Sequence, residues 1–284
     1  MTVKEALEWA GHMLKEKNIE TPVKEAGVLL AFALSQEFSW LYAHPGHSLS
    51  YEQEEKFSES VLQRAAGMPF QYISNKQEFM SLDFFVDENC LIPRADTEVL
   101  AEAALAWIKA QPAGPIRVLE VGTGSGAIAV SIAHYSPDTE VDAMDLSEGA
   151  LRIAQENARR HQAAIHFFKA DFLAWEPNKT YSLLLSNPPY IPNHQLKDLM
   201  PAVRDYEPHM ALDGGEDGLL FYRAIAQKAN MLLLPGGAVF TEVGINQAEQ
   251  VALLYQQHGL KVKTYKDLAG IDRVVCAERV GKYS

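Results

Sequence analysis

The chain has 284 residues, 48% of them hydrophobic and 22% charged, the proportions of a folded globular protein rather than a disordered or collagen-like one. Its 25 Lys and Arg stand against 37 Asp and Glu, and the net charge of −12 disfavours bulk binding to DNA or RNA, where cations must neutralise phosphates. Two cysteines, Cys90 and Cys276, are too few for a disulfide scaffold. The N-terminal MTVKEALEWA lacks an apolar signal core, and the apolar run at 231–240 is broken by Pro-Gly-Gly at 235–237 and is too short to span a bilayer. The expectation is a cytoplasmic protein of one large or two smaller domains, without a membrane segment.

The first 69 residues read as a helical domain. Val3, Leu7, Ala10 and Leu14 recur at helical spacing, and Thr21 before Pro22 signals a second helix carrying Val23, Ala26, Leu29, Leu30 and Ala33. A third helix is expected over 51–66, ending before Gly67 and Pro69. Residues 70–94 read as a linking β-hairpin, with Phe70, Tyr72 and Ile73 in one strand and Leu82, Phe84, Phe85 and Val86 in the other. Asn75 and Lys76 contribute to its turn. From 95 to 284 helices and strands alternate. Strands are expected at 116–121, 140–145, 164–169, 181–186, 237–243, 261–265 and 273–277, which implies a mostly parallel sheet covered on both faces.

Chemistry first shows at the end of the 116–121 strand. Glu120 precedes Gly122, Thr123, Gly124, Ser125 and Gly126, and a helix follows. Glycines there let the backbone approach a ligand, and the helix start presents unpaired N–H groups. Asp145 ends the next strand, where an acid can accept from ribose hydroxyls. Asp171 with Phe172 follows the third, an acid and an aromatic suited to an adenine amine and ring. The loop by itself fits either a dinucleotide or S-adenosylmethionine, whose ammonium Glu120 would pair with.

Asn187, Pro188, Pro189 and Tyr190 decide between them. Two prolines after an apolar strand force the chain out of the sheet and stiffen it. An amide or aromatic NH₂ is a poor nucleophile because its lone pair is delocalised. Two acceptors, the Asn187 side-chain oxygen and the Pro188 carbonyl, can hold its two N–H groups and aim the lone pair at a sulfonium methyl. Tyr190 can pack on the flat face of the substrate group. Hydride transfer has no use for such a pair.

With these residues the chain resembles the HemK/PrmC family of protein-(glutamine-N5) methyltransferases, along essentially its whole length. QYI at 71–73 with Glu78 and Phe79, LIPRADTE at 91–98, Glu207-Pro208, ALDGGEDGL at 211–219, DLAG at 267–270 and Arg273 carry the resemblance beside the glycine loop and NPPY. Asn75 stands where the family has glycine. The resemblance implies a Rossmann-like domain with a seven-stranded, mostly parallel sheet. It implies S-adenosylmethionine as methyl donor, leaving S-adenosylhomocysteine, and the Gly-Gly-Gln glutamine of peptide chain release factors as acceptor. It further implies cofactor contacts at 122–126, Asp145, Phe172 and Asn187, glutamine contacts at 187–190, and a helical domain that docks the release factor. A monomer without a metal or direct nucleic-acid contact is expected. NPPY chemistry also serves an exocyclic amine of adenine or cytosine, and an inactive S-adenosylmethionine-binding module is a further alternative. Arg94 and Glu98 are read as either cleft residues or an interdomain salt bridge. Asp213, Glu216 and Asp217 are read as loop and helix-start acids, not a metal site.

Overall fold

The computed structural model describes residues 1–281. Its chain divides into two compact units: Met1–Asn75 with Met200–Tyr206, and Lys76–Leu199 with the residues from Glu207 onward.

The first unit is helical. Helix α1 (Val3–Glu16) opens with a reciprocal capping box between Thr2 and Glu5, and α4 (Tyr51–Ala65) with one between Ser50 and Gln53. Between them lie α2 (Pro22–Leu34) and the short α3 (Phe38–Ala43). Pro22 begins α2 as expected, but Thr21 makes no side-chain cap bond. Val3, Ala10, Leu14, Leu29, Leu30 and Phe57 fill the core. Trp9 and Trp40 pack against this core.

Phe70, Tyr72 and Ile73, expected as a strand, instead form helix α5 (Phe70–Ser74). Their aromatic and β-branched character favours strands only as a surface preference, and packing overrides it. Phe70 and Ile73, three apart, share a helix face against the helical core. Asn75 ends the helix at φ 52°, donating its N–H to the Gln71 carbonyl, a left-handed position that asparagine tolerates. The hairpin itself is shorter than expected: β1 (Gln77–Phe79) pairs with β2 (Leu82–Phe84), and its turn is Met80-Ser81. Both turn residues have positive φ without being glycine. Neighbours hold them there: Met80 N–H donates to Glu98 at 2.8 Å, and the Tyr135 hydroxyl donates to the Met80 carbonyl at 2.6 Å.

The second unit continues with α6 (Ala95–Ala110), β3 (Ile116–Val121), α7 (Ala127–Tyr135), β4 (Thr139–Asp145), α8 (Glu148–Arg160), β5 (Ile165–Lys169) and β6 (Tyr181–Ser186). Helix α9 (Pro201–Arg204) belongs to the helical unit, and the chain then runs through α10 (Leu220–Leu232), β7 (Leu233–Glu242), α11 (Ala248–Gln257), β8 (Leu260–Lys266) and β9 (Asp272–Arg279). The seven strands order as β5-β4-β3-β6-β7-β9-β8, with β9 antiparallel to both neighbours and the other pairs parallel.

Alternation along the central strands fills two layers. Val118, Leu183, Leu185 and Phe240 face one, with α6 and α7, while Leu119, Val121, Leu184 and Val239 face the other, with α10 and α11. Strand β7 begins at Leu233, four residues before the expected Gly237. Tyr181 pairs with Leu233, and the pairing then shifts register past the Pro-Gly-Gly so that Leu183 meets Ala238. Among the described residues no helix is long and apolar enough to cross a membrane.

Candidate active site

Strand order reverses between β3 and β6: β4 lies on one side of β3, and β6 on the other. Loops leaving adjacent strands at such a point diverge and open a crevice at the strands' carboxyl ends. A cleft of about 420 Å³ lies there. Glu120, Gly122, Thr123, Gly124, Ser125, Asp145, Asp171, Phe172, Asn187, Pro188 and Pro189 all line it. Gly126 and Tyr190 do not.

The glycine loop turns through φ 72° at Gly122 and 55° at Gly124, a region costly for side chains but open to glycine. A Cβ at either position would meet open space, so conformation and not crowding requires glycine there. Gly126 has a different reason. A Cβ would sit 3.0 Å from the Ala154 Cβ, so this residue lets α7 pack closely on α8 instead of facing the cleft.

Glu120 is 1% exposed. The Thr123 hydroxyl and the Ala129 N–H both donate to its Oε2, at 2.5 and 3.1 Å. Burial dominates and pushes its carboxyl up to about 8. Oε1 is left for a ligand, and an ammonium would restore the charged form. Asp145 Oδ1 and Oδ2 each accept one backbone N–H, from Ser147 and Gly124, both at 2.9 Å. A carboxylate offers about four acceptor sites, so capacity remains for hydroxyl groups. Burial raises the Asp145 carboxyl above the usual range as well. Asp171 is exposed, with Oδ1 holding the Leu173 N–H at 2.9 Å, while Phe172 is buried beside it.

Asn187 follows β6, and its Nδ2 donates to Thr97 Oγ1 at 3.1 Å. The Pro-Pro-Tyr segment is gripped by the ALDGGEDGL run. Ile191 N–H donates to the Leu212 carbonyl at 3.0 Å, and Gly214 N–H donates to the Ile191 carbonyl at 2.8 Å. A Cβ at Gly214 would lie 2.8 Å from Tyr190 Cα, and one at Gly218 would lie 2.3 Å from the Tyr190 oxygen. Gln247 Nε2 donates to that same oxygen at 3.0 Å. Tyr190 therefore packs into the α10–α11 layer, and burial pushes its phenol up to about 12. In this arrangement its ring anchors the loop. Asp213 and Asp217 take the loop and helix-start roles read for them, accepting from Gly215 and Leu219 N–H, and Asp217 also pairs with Arg223.

Around the cleft, the partners of Glu207 and the whole role of Asn157 were not legible from sequence, although Glu207 and Arg94 stand in patterns it marked. Glu207 is 5% exposed, pairs with Arg94 and accepts from Ile92 N–H at 3.3 Å. The Arg94 pair thus lies inside one unit and is not interdomain, and Glu98 holds the hairpin turn. Asn157, fully buried, accepts from Phe85 N–H and donates to the Phe85 and Ser125 carbonyls, at 2.7, 2.9 and 2.8 Å. Cys90 lines the cleft, but burial pushes its thiol up to about 12 and leaves it unreactive. Among the described residues no group of three or more His, Cys, Asp or Glu is placed to hold a metal ion.

Two family models match the chain. A family described as the PrmC N-terminal domain matches residues 5–74, and one described as the methyltransferase small domain matches 101–203. A release factor glutamine methyltransferase of Geobacter sulfurreducens is 42% identical over 275 residues, covering 96% of this chain and 95% of its own. Its counterpart in Moorella thermoacetica is 42% identical over 283 residues, covering 98% and 99%. That of Clostridium acetobutylicum is 37% identical over 286 residues, covering 99% and 100%. Among solved structures, a methyltransferase from Pyrococcus furiosus shares the fold, with a TM-score of 0.52 and 18% identity over 78% of this chain and 98% of that one.

Proposed function

Because the chain belongs to the family of release factor glutamine methyltransferases, we propose that it methylates the side-chain amide nitrogen of the Gly-Gly-Gln glutamine in peptide chain release factors, with S-adenosylmethionine as donor. The observation that carries this reading is that β6 delivers Asn187, Pro188 and Pro189 to the same cleft as the β3 glycine loop. The donor set fits the cofactor. Glu120 holds the ammonium, Asp145 accepts from the ribose hydroxyls, Phe172 packs on the adenine and Asp171 accepts from its amine.

When bound, the cofactor supplies a methyl group on a positive sulfur, which becomes a neutral thioether as the S–C bond breaks and the N–C bond forms. The protein's own part is positional and electrostatic. Asn187 Oδ1 and the Pro188 carbonyl each accept one N–H of the glutamine amide, which turns the nitrogen lone pair toward the methyl. Both acceptors stabilise the positive charge that grows on nitrogen. The surplus proton leaves after transfer, so no strong base is needed first. The helical unit serves to dock the release factor, and its short-range partner is a protein surface rather than a nucleic-acid backbone.

Mass spectrometry of the Gly-Gly-Gln peptide, after incubating release factor with enzyme and cofactor, tests the reading. A gain of one methyl on the glutamine is expected. Label that appears on DNA or RNA and not on the release factor would overturn it.

A further inference from the structure

Between β5 and β6 the chain runs through residues 170–180, which form neither helix nor strand yet bring both Asp171 and Phe172 to the cleft. A loop presents two groups together only where something fixes it. Part of the answer is local. The Asp171 carbonyl accepts from the Ala174 and Trp175 N–H groups at 3.1 and 2.7 Å, and its Oδ1 accepts from Leu173 N–H at 2.9 Å. Residues 171–175 therefore close one turn.

A side chain from another element reaches this turn. Lys228, on α10, is partly buried, and its Nζ donates to the Trp175 carbonyl. The same ammonium lies 5.4 Å from the centre of the Phe172 ring, within reach of a cation–π attraction. Trp175 packs with its ring centre 6.5 Å from that of Phe172 and 5.8 Å from that of Phe168 on β5. One cation thus meets the last carbonyl of the turn and its aromatic side chain. Phe172 lines the cleft, whereas Lys228 and Trp175 do not, so they brace the ring from outside. Further along the loop Lys179 pairs with Asp142 of β4, which fixes the return to β6.

A lysine in such a place has a cost. A long flexible side chain is held in one conformation, and its ammonium gives up part of its water. An apolar residue would fill the same space beside the aromatic rings without either cost. We propose that Lys228 is a positioning residue for the adenine end of the cofactor site. It sets the 171–175 turn in advance, so that the Phe172 ring and the Asp171 carboxylate stand together before the base arrives. This rests on the S-adenosylmethionine reading for its ligand, though not for its geometry. A turn ordered beforehand loses less freedom on binding, and the difference appears as affinity. Because Lys228 stands outside the cleft, behind the nucleoside end, its effect falls on binding and not on methyl transfer.

Calorimetry with two probes tests this: S-adenosylhomocysteine and 5′-methylthioadenosine share the adenosine but not the amino-acid end. Lys228→Met keeps the length and loses the charge and the donor. It should raise the Kd of both probes by about tenfold, the worth of one hydrogen bond from a charged group. Lys228→Arg, which keeps charge and donors, should restore most of the affinity. In turnover the Lys228→Met loss should appear in the cofactor KM and disappear at saturating cofactor. Acrylamide quenching of Trp175, taken as the difference between each protein and its Trp175→Phe form, should rise in Lys228→Met and fall back in Lys228→Arg. An unchanged Kd for both probes in Lys228→Met overturns the proposal and leaves the cofactor reading standing. A loss confined to S-adenosylhomocysteine does the same, since it would place the effect at the amino-acid end. Failure of the unsubstituted protein to bind either probe would overturn the cofactor reading, and Trp175 quenching would still decide whether Lys228 sets the turn.

Discussion

Asp145 Oδ2 accepts the backbone N–H of Gly124 at 2.9 Å, so the acid at the end of β4 fixes the tip of the glycine loop after β3. The same carboxylate lines the cleft. One side chain thus shapes the loop and faces the ligand, and the two roles cannot be removed separately. Asp145→Ala should weaken S-adenosylmethionine binding by about tenfold to a hundredfold, the worth of one or two hydrogen bonds to a charged group. Asp145→Asn should also weaken it, because an NH₂ would face one of the two backbone donors. Isothermal titration reads both, and unchanged affinity in the alanine variant would deny Asp145 a part in the site.

Glu120 ties cofactor binding to pH. Its folded-state carboxyl sits at about 8, above the ordinary carboxylate value of 4.5, chiefly through burial. The folded protein without ligand therefore binds a proton there that the unfolded chain releases. The sign follows: this group makes stability fall as pH rises from 4.5 toward 8. An ammonium against Glu120 needs the charged form, so binding must expel the proton. Cofactor affinity should rise with pH up to about 8, by as much as about tenfold per unit, and Glu120→Gln should flatten that rise. Calorimetry in two buffers of different ionisation enthalpy should register proton release near neutral pH, and an absence of proton release would place the ammonium elsewhere.

The cleft was legible wherever its residues are local in sequence. The glycine loop, Asp145 and the NPPY run each announce themselves within a few residues, and buried parallel strands such as 181–186 read as apolar runs. Residues that act through tertiary pairing were not. Thr97 meets Asn187 across 90 positions, Glu207 meets Ile92 across 115, and Asn157 meets Phe85 across 72. Threonine, glutamate and asparagine on helices or loops look like surface residues until a partner is known. LIPRADTE, which holds Ile92 and Thr97, and Glu207-Pro208 marked two of these places as patterns without stating a reason, and the structure supplies it. The α5 reading failed because five residues with aromatic and β-branched side chains have no decisive periodicity, and contact with the helical core settled them.

Gly218 offers a sharper test of the loop's role. Its φ is 76°, and a Cβ would fall 2.3 Å from the Tyr190 oxygen, a backbone atom that cannot rotate away. Gly218→Ala must displace the Pro-Pro-Tyr segment or break the Gln247 bond to Tyr190. Turnover should drop about tenfold or more, because a misplacement near 1 Å is enough, while cofactor affinity changes far less. Gly236→Ala is the control: its φ is 79° but no atom lies within 4 Å of the added Cβ, so it should cost only backbone strain of about 1 kcal/mol and leave turnover intact. Equal turnover in the two variants would show that the grip on Tyr190 is dispensable.

Asn157 should matter to stability before chemistry. Its amide meets three backbone groups, Phe85 N–H, Phe85 C=O and Ser125 C=O, and the residue is fully buried. Asn157→Leu keeps the volume but leaves those groups unpaired away from water. Each orphaned group costs about 1–3 kcal/mol, and some will relax toward other partners, so a loss of about 2–4 kcal/mol is expected in urea unfolding. Part of that loss should return on ligand binding, since Ser125 lines the cleft and a ligand reorders its loop. S-adenosylhomocysteine should accordingly raise the Tm of the variant by at least as much as that of the unsubstituted protein. A variant as stable as the parent would mean that the link from the β2 edge to the glycine loop holds nothing in place.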